Sequence, residues 1–172
     1  MRAGEVGATV VSVRAPLNES TLAELLPGSW GIAATNFPMW ISGERTNPSF
    51  TYELVSASPL VLADDVSYLD AEGVEKHIIG TDTLKNDEFV WRGKGVLRIV
   101  KSHWHVAGAN DDGTVAAIRF SKSAVTPAGI DIIVKTATHV PELRALIARS
   151  TELFGLSPED FGSLTWLTTP RG

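Results

Sequence analysis

A chain of 172 residues with 44 % hydrophobic and 20 % charged positions has the length of one domain and enough apolar content to fill a core without staples. Its 15 Gly and 9 Pro promise many turns, and the zero Cys exclude disulfides, thiolate metal sites and cysteine nucleophiles together. A net charge of −5 with no cluster of Lys or Arg leaves no electrostatic footprint for nucleic acid or an anionic membrane.

In chain order, the first apolar run, Ala8-Thr9-Val10-Val11, is too short and too closely flanked by charge for a signal-peptide core or a membrane span. Residues 1–20 are expected to form an extension and residues 21–172 one domain, in the cytoplasm and without stable membrane insertion. Thr21-Leu22-Ala23-Glu24 fits a capping box, which predicts a helix over 22–26 that Pro27-Gly28 stops. Gly28-Ser29-Trp30 then turns the chain into a strand that begins on a large ring.

From Trp30 to Lys135 short runs of Val, Ile, Thr, Tyr and Phe alternate with Gly, Asn, Asp and Pro clusters. Strands are predicted at 30–36, 50–57, 61–69, 75–83, 88–92, 96–101, 103–109, 114–121 and 129–136. No helix-length segment separates them, so parallel pairing is excluded, and turns such as Asn110-Asp111-Asp112-Gly113 favour an antiparallel meander. Closing eight or nine such strands into a barrel removes both exposed edges. The period then changes: Leu143, Leu146, Ile147 and Phe154 mark an amphipathic helix over 141–154, with Pro141 in its first turn and Gly155 after its end. Strand 129–136 is apolar on both faces near its end, as a strand between a lumen and this helix would be. Ser157-Pro158-Glu159-Asp160 starts a further helical turn, and Leu164-Thr165-Trp166-Leu167 alternates like a last short strand.

Three stretches carry a resemblance: Gly28-Ser29-Trp30 with the following Gly31-Ile32-Ala33-Ala34 and the loop Phe37 to Gly43; Ile132-Ile133-Val134-Lys135-Thr136; and Phe154 to Phe161 with Leu164-Thr165-Trp166. In these the chain resembles the lipocalins of the calycin superfamily, most closely the small bacterial ones. The resemblance implies an all-β fold with one helix, an antiparallel up-and-down barrel of eight to nine strands with an external C-terminal helix. It also implies a basic residue over the Trp at the closed end of the barrel, which places Lys135 over Trp30. The loop of residues 37–49 would then fold over the open mouth.

An eight-stranded barrel is just wide enough to hold one small ligand. Alternation puts Phe50, Tyr52 and Leu54 on one face of their strand, and Trp104 and Val106 on one face of theirs. With Phe37, Met39 and Trp40 of the loop, these eight residues are the candidate ligand-binding set. The opposite face of His103-Trp104-His105 carries two His that could share a metal, although two ligands do not make a site and solvent-facing histidines explain the pattern equally. Acid–base candidates are His77, Asp82, His103, His105 and Asp131; Asp131 interrupts an apolar strand, and it either meets water or a partner, or is a buried base. No nucleophile triad, phosphate loop or dinucleotide fingerprint occurs, so no cofactor, metal or catalytic residue is assigned.

The expected function is binding or sequestration of a small, largely hydrophobic molecule in the lumen, with room left for a homodimer. An enzyme on the same scaffold is the alternative, an isomerase, cyclase or dehydratase of a lipid-like or polyketide-like substrate. Haem binding through His77 or His139 is a third.

Overall fold

The computed structural model describes residues 17–124 and 126–167. Most of the expected N-terminal extension, with its apolar run at residues 8–11, lies outside them. The first element is a helix, α1 (Glu19–Leu25), whose cap is Asn18: its side chain accepts from the Thr21 N–H at 2.9 Å and from the Thr21 hydroxyl at 3.0 Å. The box expected on Thr21 and Glu24 therefore sits one turn too late, because Asn18, the stronger cap, precedes it. A capping box does form at the other end of the chain, where Ser157 and Asp160 cap α4 (Pro158–Ser163) reciprocally.

Eight strands follow α1: β1 (Gly28–Thr35), β2 (Thr46–Ala57), β3 (Leu60–Leu69), β4 (Glu75–Lys85), β5 (Glu88–Gly93), β6 (Lys101–Ala109), β7 (Val115–Phe120) and β8 (Gly129–Lys135). Each pairs antiparallel with the next, and β1 pairs with both β8 and β2, which closes the barrel. A ninth strand, β9 (Thr165–Trp166), adds to β1 from outside, with Ala34 opposite Trp166. The fold is the closed antiparallel barrel with an external helix that the sequence predicts.

One predicted strand, 96–101, is not formed. Gly95 takes φ +62°, which turns the chain into a short 3₁₀ helix (Gly95–Leu97), and Val96 and Ile99 are left 93 % and 84 % exposed. β-prone side chains here have no free strand to pair with, because β4 and β6 already flank β5. The predicted helix over 141–154 is also divided. Glu142 sits at φ 51°, so α3 spans Leu143–Arg149, and a 3₁₀ turn (Thr151–Phe154) completes the segment.

Two cores result. Inside the barrel, Trp30, Ile32, Phe50, Tyr52, Leu60, Leu62, Phe89, Trp104, Ile118 and Ile133 pack together. Outside, Ala34, Val115, Ala117, Ile130 and Ile132 meet Ile147 and Phe154 of the C-terminal segment. Strand β8 thus contributes to both, as its two apolar faces require. The segment approaches β6 so closely that a Cβ at Gly155 would lie 2.4 Å from the carbonyl oxygen of Ala107, and one at Gly108 would lie 2.2 Å from that of Leu153.

The end of the barrel beside α1 is sealed. Trp30 is fully buried, its indole N–H donates to the Leu26 carbonyl at 2.9 Å, and the Lys135 ammonium stands 5.3 Å from its ring centroid. Register makes the last contact, since Trp30 and Lys135 are direct partners across β1 and β8. Such a cation–π contact contributes roughly 0.5–2 kcal/mol.

Candidate functional site

The other end is covered by the segment between β1 and β2, which is a short helix rather than an open loop: α2 (Pro38–Ile41), with Pro38 in its first turn. Asn36 pins its start, accepting from the Ile130 N–H at 2.7 Å, and the Phe37 N–H donates to the Thr35 hydroxyl at 3.0 Å. Phe37 then turns inward onto Gly129, where a Cβ would lie 2.3 Å from its ring, and meets Phe120 edge-on at 5.3 Å. Trp40 packs against Tyr68 at 5.7 Å, and Arg45 lies over the same Tyr68 ring at 4.9 Å. Burial of Phe37 and Trp40, with Met39 half-buried beside them, explains this docking, since these rings could not stay in water without cost; Ile41 stays exposed.

Beneath α2 lies a cavity of about 140 Å³, close to what one aromatic ring occupies. Phe37, Met39, Trp40, Phe50, Tyr52 and Trp104 line it, six of the eight residues predicted from alternation and the loop. Leu54 and Val106 do not. Leu54 is 44 % exposed: it stays in register opposite Leu62, but β1 begins at Gly28, opposite Tyr52, so β2 has no β1 partner beside Leu54; Val106 packs on the same core and is not part of the cavity wall. The rings form a continuous stack, with Phe50 on Tyr52 at 5.9 Å, Tyr52 on Trp104 at 5.6 Å and Trp104 on Phe89 at 4.5 Å. Each such pair adds about 0.5–1.5 kcal/mol beyond area burial, so this wall is rigid.

Three carboxylates are buried in the same interior: Asp64 of β3, Asp82 of β4 and Asp131 of β8, at 5 %, 0 % and 1 % exposure. Their placement follows from strand alternation. Leu60, Leu62, Asp64, Val66 and Tyr68 share the inward face of β3, Asp82 lies opposite Leu62, and Asp131 lies opposite both Ile118 and Thr35. Asp82 accepts from the Trp104 indole N–H at 2.8 Å and is hydrogen-bonded to Asp64, while Asp131 is hydrogen-bonded to the Thr35 hydroxyl. One oxygen of each carboxyl, Asp64 Oδ1, Asp82 Oδ2 and Asp131 Oδ1, has no donor from the described residues.

Burial sets the protonation of this group. Desolvation pushes Asp131 up to about 7 against the pull of the Thr35 hydroxyl, and pushes Asp82 up to about 6 against hydrogen bonds from Asp64 and Trp104. Asp64 is raised well above the usual carboxylate range by burial first and the neighbouring Asp82 second. Two carboxyls sharing one hydrogen bond cannot both be ionised cheaply, so Asp64 holds the proton and donates it to Asp82. Burial raises the Tyr52 phenol well above its ordinary value, and the neighbouring carboxyls of Asp64, Asp82 and Asp131 push it the same way.

Of the acid–base candidates, Asp82 and Asp131 are thus interior, whereas the histidines face out. His77 pairs with Asp65 at 2.9 Å, and His103 with Glu88 at 3.0 Å, both on the exterior face. Among the described residues no three His, Asp or Glu gather as a metal site. Asp64 is the residue that sequence reasoning missed, although its signal was present in the Leu60-x-Leu62-x-Asp64-x-Val66 alternation. His139 lines a separate outer groove of about 800 Å³ with Arg45 and Lys135. The titratable side chains of that groove all reach solvent.

No family model and no curated protein matches the chain. Solved structures do. Lobster apocrustacyanin A1 superposes with a TM-score of 0.61 at 8 % identity, over 91 % of this chain and 88 % of that one. Apocrustacyanin C1 gives 0.61 at 9 % identity over 91 % and 88 %, and the siderocalin Ex-FABP, which functions through dual ligand specificities, gives 0.58 at 12 % over 85 % and 95 %. At these identities the likeness shows the fold, and the fold is that of the lipocalins.

Proposed function

We propose that the chain is a binding protein whose barrel lumen takes one small, largely apolar ligand of about the size of a single ring. The observation that carries this reading is the cavity of about 140 Å³ walled by Phe37, Met39, Trp40, Phe50, Tyr52 and Trp104. Apolar walls with a few placed polar groups are the usual composition of a small-molecule site. Phe37 and Trp40 act as the lid, and the sealed Trp30 end is the floor.

Native mass spectrometry of the protein purified from its own host tests this. A single small molecule retained at one per chain is expected, and a variant with the cavity filled, Val66→Phe, should lose it. Retention by the filled variant would contradict the lumen as the site.

The buried carboxyls favour a second reading, acid–base chemistry on the same ligand. Asp131 on the cavity wall, pushed up to about 7 by burial, and the raised carboxyl of Asp64, backed by Asp82, are what an isomerase, cyclase or dehydratase would use to move a proton. Under that reading the retained molecule comes back chemically altered after incubation; under the binding reading it comes back unchanged.

A further inference from the structure

The lumen carries acid without any complementary base. Asp64 and Asp131 line the cavity, Asp82 backs Asp64, and no Lys, Arg or His is among the lining residues. The rest of the wall is mostly aromatic, with Tyr52 and Trp104 stacked on each other, completed by Met39, Val66, Ile78 and the hydroxyls of Ser102 and Thr126. Resting on the reading of the lumen as a small-ligand site, we infer that its ligand is a small primary or secondary amine, bound as the ammonium against Asp131 with its apolar body on Tyr52 and Trp104.

Three observations converge on this assignment. The first is the orphaned Asp131 Oδ1. Its residue is 1 % exposed, its hydroxyl partner Thr35 serves the carboxyl, and the remaining oxygen lacks a donor among the described residues. A buried acceptor left without a donor is costly, and an ammonium N–H supplies what it lacks. For Asp64 and Asp82 the shared proton answers part of the same need; Asp131 is assigned no carboxyl neighbour of that kind. The second is charge complementarity. Burying an ammonium is favourable only beside a carboxylate, and the interior offers carboxyl groups and no cation to neutralise them. The third is the wall, whose apolar and aromatic side chains pack the body of such an amine in a volume that matches one ring.

A metal ion is the competing cation, and the carboxylates are not gathered for one among the described residues. A neutral hydrogen-bonding ligand is the other competitor, accepting from a protonated Asp131.

Benzylamine, benzyl alcohol and toluene share one ring and separate these cases. Calorimetric titration at neutral pH, with thermal melts of the same samples, is the measurement. Benzylamine should bind at one per chain and at least tenfold tighter than benzyl alcohol or toluene. The Asp131→Asn variant should bring benzylamine to the level of benzyl alcohol and leave toluene unchanged. Saturation by toluene with benzyl alcohol equal to or tighter than benzylamine would keep the lumen site and overturn the amine. Saturation by none of the three would overturn the lumen reading itself. If Asp131→Asn does not fold, Asp64→Asn and the wild-type ratio of benzylamine to benzyl alcohol decide the matter, and a ratio near one overturns the proposal. Benzylamine preference retained intact in a folded Asp131→Asn protein would likewise overturn Asp131 as its anchor.

Discussion

Asp131 is opposite Ile118 on one side and Thr35 on the other, on a strand that is otherwise apolar, and this position makes the stability of the protein depend on pH. An unfolded Asp ionises at about pH 3.9, whereas the buried one holds its proton to about 7. Below about pH 4 both states are protonated and the group contributes no pH dependence; between about 4 and 7 only the unfolded chain releases the proton, so folding weakens as pH rises, and above 7 the loss is complete. Asp82 acts with the same sign over a narrower window that closes near 6. Exposed Asp70, Asp112 and Asp160, lowered by hydrogen bonds to Val74, Thr114 and Ser157 respectively, act oppositely and lose their contribution only as pH falls through the acid range. His77, raised by its hydrogen bond to Asp65, adds a loss as pH rises above its ordinary value. The expected result is a melting temperature that falls between about pH 4.5 and 7.5, and an Asp131→Asn variant that melts at least about 3 °C higher at pH 7.5 with a flatter profile. Thermal melts across that range check it, and an equally steep profile in the variant would assign the dependence elsewhere.

At the scale of elements, alternation and turn chemistry carried most of the information. Strands β3, β4, β6 and β8 lie within two residues of where Val, Ile, Thr and aromatic runs predict them, because each is bounded by a turn signal such as Asp70-Ala71-Glu72-Gly73 or Asn110-Asp111-Asp112-Gly113. The Trp30–Lys135 contact was legible through the resemblance to the lipocalins, which implies a basic residue over the Trp at the closed end. What was not legible depended on partners far along the chain. The run at 96–101 has β propensity and no strand to pair with, and the helix start at Leu143 is decided by the left-handed Glu142 rather than by periodicity. Leu54 alternates correctly with Tyr52 and still leaves the lumen, since β1 starts opposite Tyr52 and leaves β2 without that partner at Leu54. The lid is the element whose function depends most on one close approach. A methyl group at Gly129 would meet Phe37 at 2.3 Å, so Gly129→Ala should displace the ring, open the mouth and speed ligand exchange with little change in fold. Ligand off-rates by stopped flow measure this, and unchanged rates would show that Phe37 does not gate the lumen.

For the whole molecule, one barrel serves two cores, and the division explains how a lipocalin fold can keep acid in its interior. The outer core beneath α3 and the stack from Phe50 to Phe89 supply burial that does not depend on the lumen being filled. The lumen can therefore hold an unfilled volume and three costly carboxyl groups, a local violation of the rule that buried polar groups find partners. Sequence reasoning named six residues of the cavity wall and two of the three buried acids but placed no weight on the acids' meeting, because Asp64, Asp82 and Asp131 are separated by many residues and only closure of β1 on β8 and β2 brings their strands into one ring. Titration of tryptophan emission with toluene tests the central claim, a ring-sized lumen site, most directly. The account predicts a saturable change at one toluene per chain in the wild type and its loss in a folded Val66→Phe variant; a non-saturating response in the wild type, or the same saturation in the filled variant, would contradict it.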